Sequence, residues 1–155
     1  MSVGSAVEIR RFRLGDVRRV HELEEEIYSA PWRYQHFLQL LALPNGIGWV
    51  AEEEGRVVGY ALGWLAADEA ELANIAVDEG RRGRGIGRRL LETFVEGVRD
   101  RGTLRLYLEV RESNELARDF YLGHGFEVVG RRPDYYDSPP EDAVQMARDL
   151  EPDSG

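Results

Sequence analysis

The sequence contains no cysteine. This absence excludes disulfide bonds, thiolate nucleophiles and zinc sites built from cysteine ligands. The fold must therefore be stabilised by packing and backbone hydrogen bonds, and we expect it to belong to the reducing environment of the cytoplasm.

Lysine is absent as well, so that all 20 basic residues are arginine. A lysine Schiff base and the lysine of a phosphate-binding P-loop are therefore both excluded. A GC-rich genome and adaptation to high salt each explain this composition without reference to a mechanism.

Long apolar runs are missing too. No run approaches the roughly 18 apolar residues of a membrane span, and the first residues lack the apolar centre of a signal peptide. We therefore expect a soluble cytoplasmic protein with no membrane partner.

The 29 acidic and 20 basic residues give a net charge of −9, which repels phosphates and argues against direct nucleic-acid binding. The length of 155 residues predicts a single domain over 1–155, ordered over about 6–150.

Hydrophobic periodicity divides the chain into strands and helices. Strands are predicted at 7–12, 48–53, 56–65, 69–77, 104–110, 127–132 and 141–150. Helices are predicted at 15–29 and 32–43, then from the glycine-rich stretch to Arg101, and finally from Ser113 to the glycines at 123–125. The second to fourth strands are expected to form an antiparallel meander.

Two of these elements carry patterns that predict burial. Alternate residues of the fifth strand share the buried face, and they are Leu104, Leu106, Leu108 and Val110. The opposite face of that strand then carries Glu109. On the fourth helix, Leu116 and Phe120 are expected to enter the core, and Tyr121 shares another face with Asn114.

A glycine- and arginine-rich stretch at 78–94 lies between the fourth strand and the next helix. The first N–H groups of a helix lack partners and carry the positive end of the helix dipole, so that this place attracts phosphate. Gly83, Gly85 and Gly87 would let the backbone approach a pyrophosphate closely. A P-loop fails without lysine, and a dinucleotide fingerprint is weak because Arg88 replaces its third glycine. Taken alone, the stretch fits a pyrophosphate site and a solvated turn equally well.

Residues 82–87, Arg-Gly-Arg-Gly-Ile-Gly, are similar to the Arg/Gln-x-x-Gly-x-Gly/Ala signature of the GNAT superfamily of acetyl-CoA-dependent N-acetyltransferases. Three longer stretches, at 74–92, 106–127 and 135–150, resemble N-terminal acetyltransferases, especially the RimI type that acetylates the N-terminal alanine of a ribosomal protein. The resemblance implies an α/β (α+β) GNAT fold. Such a fold has a mixed, mostly antiparallel seven-stranded sheet flanked by about four helices.

The resemblance also implies acetyl-CoA as the cofactor and no metal. In this family the glycine-rich turn binds the pyrophosphate through main-chain amides, and the strand before the turn pairs with the pantetheine arm. The implied cofactor-binding residues are Ile75, Ala76, Val77, Gly83, Arg84, Gly85, Ile86, Gly87, Arg88 and Asn114.

Acetyl transfer to an amine needs a base, an acid for the departing thiolate, and a donor to the oxyanion. The resemblance assigns the base to Glu109 in "LEVR" and the acid to Tyr121, which begins "Tyr-x-x-x-Gly-Phe". A phenol with a pKa near 10 suits the acid role. The family supplies the oxyanion donor as a main-chain N–H near Ile75. A solvated carboxylate and a packing aromatic are the structural alternatives for these two side chains.

Three aromatic residues match substrate-binding positions of the family. Tyr135 and Tyr136 match a hairpin that holds the peptide, and Trp32 matches a segment that shapes the substrate pocket. Tyrosines that cover a sheet edge and a plain core tryptophan are open alternatives. The acidic run 24–26 is interpreted as a solvated helix face.

The predicted reaction is therefore acetylation of the N-terminal α-amino group of a protein, with a ribosomal protein as the candidate partner. We expect the enzyme to be a monomer or a weak dimer. The alternatives are an N-terminal acetyltransferase of broader specificity, a small-amine acetyltransferase, and a non-catalytic acyl-CoA-binding module.

Overall fold

The computed structural model describes residues 6–137 and 139–151. The disorder predicted at the two ends falls on residues 1–5 and 152–155, which lie outside the described ranges. The strands are β1 Val7–Arg11, β2 Gly46–Glu53, β3 Arg56–Ala66, β4 Glu69–Val77, β5 Arg105–Arg111, β6 Glu127–Asp137 and β7 Pro140–Asp149. The helices are α1 Val17–Ile27, α2 Tyr34–Ala42, α3 Ile86–Asp100 and α4 Glu115–Leu122. The predicted order of elements is confirmed.

The strands form one sheet with the order β1-β2-β3-β4-β5-β7-β6. Its neighbours pair antiparallel except for β4 and β5, which are parallel. The predicted meander and the mixed, mostly antiparallel sheet are therefore confirmed. Within the described part of the chain, no helix is both long and apolar enough to cross a membrane.

Helices cover both faces of the sheet because each carries one apolar stripe. On α3, the stripe of Leu90, Leu91, Phe94 and Val98 is buried against one face, where α4 also packs. On α1, the stripe of Val17, Val20 and Leu23 is buried against the other face together with α2. Each such side chain contributes roughly 1.5–3 kcal/mol by leaving water.

Two burial predictions are wrong. Leu104 is 44% exposed, because β5 begins one residue later and Leu104 belongs to the preceding turn. Leu116 is 86% exposed, because α4 turns Ala117, Phe120 and Tyr121 toward the core instead. The predicted burial of Leu106, Leu108 and Val110 is confirmed.

A β-bulge interrupts β4 at Ala73. Leu72 pairs with Gly63 and Asn74 pairs with Leu62, so that Ala73 has no partner across the ladder. Gly63 is required at this point, because a Cβ there would lie 1.9 Å from the carbonyl oxygen of Glu71. The extra residue reverses the side-chain alternation, so that Asn74 faces α1 while Ile75 packs toward the α3 side.

A gap opens between β4 and β5 directly beyond the bulge. The two strands pair only from Glu69 to Leu72 and from Arg105 to Leu108. Beyond these residues β4 still pairs with β3, and β5 still pairs with β7. The sheet therefore has an internal opening between its central strands.

Candidate active site

The opening is the centre of a cavity of about 390 Å³ that reaches both faces of the sheet. Leu108, Val110 and Tyr121 line it on the α4 side, and Glu24 and Trp32 line it on the α1 side. Six predicted site residues share this lining, namely Trp32, Ile75, Glu109, Asn114, Tyr121 and Tyr136. The structure thus brings together the predicted base, the predicted acid and part of each predicted binding set.

The Glu109 carboxylate projects from the open face of β5 beside the gap. Its Oε1 lies 3.2 Å from Nε of Arg132 on β6. Its Oε2 is buried and has no hydrogen-bond partner among the described residues. A carboxylate oxygen held in this way is able to accept a proton or a hydrogen bond from a ligand.

Tyr121 faces the gap from the other side of the sheet. It is buried, with its ring 5.6 Å from that of Phe126 and 5.4 Å from that of Phe120. Burial raises the pKa of the Tyr121 phenol, and Tyr136 raises it further. The phenol therefore stays protonated at neutral and mildly alkaline pH, as an acid must.

The acidic run at 24–26 is not uniformly solvated, because Glu24 is buried at 2% exposure. Its Oε1 accepts hydrogen bonds from the Tyr60 hydroxyl (2.6 Å) and the Asn74 side-chain amide (2.7 Å), and its Oε2 accepts one from the backbone N–H of Trp32 (2.9 Å). The carboxylate therefore joins α1, the loop after it, β3 and the bulged part of β4. The expectation of a solvated face is wrong for Glu24 and holds for Glu25, which is exposed.

The free edge of β4 offers donors to the gap. The N–H of Asp78 donates to Val58, so that by alternation Ala76 directs its backbone groups toward β3, and Ile75 and Val77 direct theirs toward the gap. The carbonyl of Ile75 accepts from the Tyr28 hydroxyl, and that of Val77 accepts from Arg82 Nε at 3.2 Å. The N–H groups of Ile75 and Val77 are thus the groups that a ligand would meet, and Ala76 is not brought to the gap.

The glycine-rich turn contains two residues with left-handed backbone. Gly83 and Gly85 both have φ of +80°, in the left-handed region that favours glycine. Gly85 is the N-cap of α3, and the side chain of Ile86 is buried at 2% exposure. Ile86 can therefore offer an anion its main-chain N–H and not its side chain, beside the main-chain N–H groups of Gly87 and Arg88 in the same turn.

Two of the predicted cofactor-binding arginines, Arg84 and Arg88, form ion pairs in the structure. Arg84 pairs with Glu53 at the end of β2 through Nη2 and Oε2 at 2.6 Å, and Arg81 pairs with the same carboxylate at 3.1 Å. These hydrogen bonds, that from Arg84 above all, lower the pKa of Glu53. Arg88 forms an exposed pair with Glu92 at 3.5 Å. The turn is therefore anchored to β2 by an ion-pair cluster.

Asn114 lines the cavity as the N-cap of α4. Its Oδ1 accepts a hydrogen bond from the N–H of Ala117 at 3.1 Å, so that the cap lies one residue later than predicted. The carbonyl oxygen of the amide is thus committed to the helix. Its NH₂ group remains the donor that a cofactor would contact.

The two tyrosines of the β6–β7 hairpin have different surroundings. Tyr136 lines the cavity below the Arg111 guanidinium, which lies 4.3 Å from the ring centre. Burial and the nearby Glu109 raise the pKa of Tyr136 to about 12. Tyr135 is 48% exposed and lies outside this lining, with the Arg132 guanidinium 5.4 Å from its ring.

A second cavity of about 290 Å³ lies on the open face of β4 and β5, and Glu109 lines both cavities. Its other walls include Trp64, Glu71 and Arg132. Burial and the Glu109 carboxylate raise the pKa of Glu71. Glu109 thus lies where the opening through the sheet meets this cavity, which we call the open-face cleft.

Sequence reasoning missed Glu24, Glu53 and Arg132. Position 24 lies four residues after Val20 on the buried stripe of α1, and this spacing could have identified it. The other two residues act through partners distant in sequence, and no local spacing indicates those pairs.

Comparisons with known proteins show which proteins this chain is similar to. The model of the acetyltransferase (GNAT) family matches residues 17–126. An N-alpha-acetyltransferase RimI of Mycobacterium tuberculosis is 38% identical over 149 residues, which cover 92% of each chain. A ribosomal protein bS18-alanine N-acetyltransferase of Haemophilus influenzae is 33% identical over 143 residues, covering 85% of this chain and 91% of that protein. The crystal structure of the ribosomal-protein-S18-alanine N-acetyltransferase from Escherichia coli has a TM-score of 0.87 and 28% identity, and the match covers 97% of this chain and 99% of that one.

Proposed function

This chain belongs to the acetyltransferase (GNAT) family, and from that premise we propose that it transfers an acetyl group from acetyl-CoA to the N-terminal α-amino group of a protein. The proposed substrate class is a ribosomal protein that begins with alanine, because two of the similar enzymes are named for that activity. A ribosomal protein as substrate would place the reaction in the cytoplasm.

One observation carries the proposal. The gap between β4 and β5 has Glu109 at one side and Tyr121 at the other, and both side chains line the same cavity. A base and an acid on opposite sides of one opening suit a reaction in which a nucleophile arrives from one face of the sheet and a leaving group departs toward the other.

The gap suits acetyl-CoA. When bound, acetyl-CoA would supply the acetyl thioester and the thiolate leaving group. The N–H groups of Ile75 and Val77 would pair with amide oxygens of its pantetheine arm, so that the arm fills the place of a missing strand. The first N–H groups of α3, beyond Gly85, would hold its pyrophosphate.

Glu109 is the proposed base. As the amine nitrogen bonds to the acetyl carbon, the Glu109 carboxylate takes one of its protons, and its unpartnered Oε2 is the atom available for this. A modest base is sufficient, because an α-amino group has a pKa of about 7.7–8.0 whereas that of a lysine side chain is about 10.4.

Tyr121 is the proposed acid. When the carbon–sulfur bond breaks, its phenol donates a proton to the departing sulfur. Burial raises the pKa of this phenol and keeps it protonated until the sulfur departs, and its place in the cavity supports the assignment. The N–H of Ile75, at the edge of the gap, is the proposed donor to the acetyl oxygen.

The open-face cleft is the proposed path of the acceptor peptide. Glu109 lines it, so that a terminal amine in the cleft would reach the base directly. The β6–β7 hairpin borders the cleft and is tied to β5 through Arg111, which donates to the carbonyl of Pro139 at 2.9 Å. Tyr135 and Tyr136 on this hairpin would hold the first peptide units.

The test is a transfer assay with acetyl-CoA and short peptides that begin with Ala, Ser, Gly, Met or Glu. A peptide with the N-terminal sequence of bS18 would be included. Tandem mass spectrometry would locate the acetyl group. We expect acetylation of the α-amino group and the highest kcat/KM with alanine first.

Two control substrates and two outcomes of the assay separate the alternatives. A peptide with a blocked N-terminus and a free lysine should not react, and neither should a polyamine. Equal rates with all first residues would indicate a broader N-terminal acetyltransferase. Binding of acetyl-CoA without turnover of any amine would contradict the proposal and leave an acyl-CoA-binding module.

A further inference from the structure

An apolar cavity of about 320 Å³ lies beside the candidate active site, between α2 and the end of β3. Its walls are Trp32, His36, Gln39, Leu40, Leu43 and Trp64. An apolar cavity of roughly 150 Å³ already holds a benzene molecule, so that this one has room for a large side chain. We propose that it is a subsite for a large apolar side chain of the acceptor peptide, downstream of the acetylated residue.

Continuity with the active site supports this occupant. Trp32 lines both the apolar cavity and the cavity that contains Glu109 and Tyr121. Trp64 lines both the apolar cavity and the open-face cleft. A peptide whose first residue reaches Glu109 along the cleft would therefore pass the mouth of the apolar cavity.

The wall formed by Trp32 is fixed before any ligand arrives. Its backbone N–H donates to the buried carboxylate of Glu24 at 2.9 Å, which fixes the main chain at this residue. Its indole packs against Phe37 with ring centres 5.3 Å apart, and against His36 at 6.4 Å. A rigid aromatic wall loses little conformational entropy on binding, which favours specific recognition.

The rest of the lining has the chemistry of a recognition pocket. Leu43 leaves 45% of its surface exposed, although it lies in a concave apolar site. Gln39 and His36 supply the only polar side chains in this lining. Pockets with apolar walls and few polar groups select apolar ligand groups of matching size.

The test rests on the proposed function and uses peptides of eight residues that begin with alanine. Serine fills the other positions, and a single phenylalanine is moved through positions two to five. We expect one position to lower KM roughly tenfold relative to the all-serine peptide with kcat little changed, because a remote contact contributes equally to the ground state and the transition state.

Leu43→Asn should reduce this tenfold preference to less than about twofold. The matched control is Leu38→Asn, because Leu38 lies on α2, which ends directly before Leu43, is 37% exposed and does not line the cavity. The control should retain the preference. Gln39→Trp, which fills the cavity with a ring, should reduce the preference even if Leu43→Asn folds poorly.

The outcomes separate the two proposals. Turnover with equal KM for serine and phenylalanine at every position would overturn the subsite alone. Absence of turnover with every peptide would overturn the proposed function, and the subsite with it. A parent protein that sediments as a dimer and becomes monomeric with Leu43→Asn would place a second copy in the cavity and also overturn the subsite.

Discussion

Replacement of Glu24 by glutamine tests whether one buried carboxylate holds the active site together. The carboxylate accepts from the side chains of Tyr60 and Asn74 through Oε1 and from the backbone N–H of Trp32 through Oε2. A glutamine has one acceptor oxygen, and in its better orientation that oxygen replaces Oε1. Its NH₂ group then faces the Trp32 N–H, which loses its acceptor.

The magnitude follows from one stranded donor, the backbone N–H of Trp32, which points at the buried side chain of residue 24. Such a group costs about 1–3 kcal/mol, and we take ~2 kcal/mol as the expected loss in the free energy of unfolding. For a chain of this size, each kcal/mol lowers Tm by roughly 2–4 °C, so that Glu24→Gln should melt about 4–8 °C below the parent. Glu24→Leu strands all three donors and should lose about three times as much, a large part of an ordinary domain's stability.

Steady-state kinetics should show which of the two substrates is bound less well by Glu24→Gln. Trp32 faces the proposed peptide side of the gap, and the glycine-rich turn lies elsewhere, so that Glu24→Gln should raise KM for the peptide more than KM for acetyl-CoA. Glu26→Gln is the matched control, since it makes the same change on an exposed part of the same helix. Thermal unfolding by circular dichroism and steady-state rates with both substrates provide the measurements.

Two results would refute this reasoning. One is a melting temperature for Glu24→Gln within about 1 °C of that of Glu26→Gln, since exposed changes usually stay within ±0.5 kcal/mol. The other is a loss in Glu24→Leu no greater than in Glu24→Gln, because the cost must increase with the number of stranded donors.

Three further predictions concern the acid, the turn and its anchor. Tyr121→Phe should lower kcat by roughly 10²-fold or more and leave the affinity for acetyl-CoA unchanged. In the parent enzyme, loss of the Tyr121 proton should not lower kcat between about pH 8 and 10, because the phenol pKa is raised. Turnover equal to that of Tyr34→Phe, an exposed control, would exclude the acid role. Gly85→Val and its control Gly102→Val each place a side chain on a residue with left-handed backbone and open space around it, so that similar losses of stability are expected. Calorimetry should show weakened acetyl-CoA binding for Gly85→Val alone. Equal affinities of the two variants would show that the turn does not bind the pyrophosphate. Glu53 has a lowered pKa in the folded state, so that its ion pairs stabilise the fold above the unfolded pKa of about 4.3 and lose this effect as pH falls through the folded value. Glu53→Gln should therefore lower Tm at pH 7 and raise KM for acetyl-CoA. The difference in Tm between this variant and the parent should vanish in acid, and a difference that persists there would contradict the ion-pair origin.

Sequence patterns predict the elements of this fold well because the patterns are local. The stripe of Leu90, Leu91 and Phe94 specifies α3 and its buried face, and the alternation of β5 places Leu108 and Glu109 on opposite faces. Leu116 shows the limit of such reasoning. A helical spacing identifies a face, but the tertiary structure decides which of two apolar faces is buried.

The candidate site is less predictable because its geometry depends on pairs distant in sequence. The bulge at Ala73 is set by the register between β3 and β4, and the residue that marks it, Gly63, lies on the partner strand. The carboxylate of Glu53 meets Arg84 across 31 positions of sequence, and that contact gives the arginine an anchoring role that its own motif does not indicate. Glu109 and Tyr121 were predicted as site residues from the family resemblance and not from spacing.

The gap itself is a consequence of the bulge. Pairing of β4 with β5 ends at Leu72, one residue before Ala73, because the extra residue turns β4 away from its neighbour. The N–H groups of Ile75 and Val77 are then left at an internal edge, and such groups must find partners in water or in a ligand. Their carbonyls already have partners in Tyr28 and Arg82, so that the edge presents donors to an incoming chain. A ligand with amide oxygens at strand-like spacing would complete the sheet at this point, and its reactive end would then lie between the proposed base on one face and the proposed acid on the other.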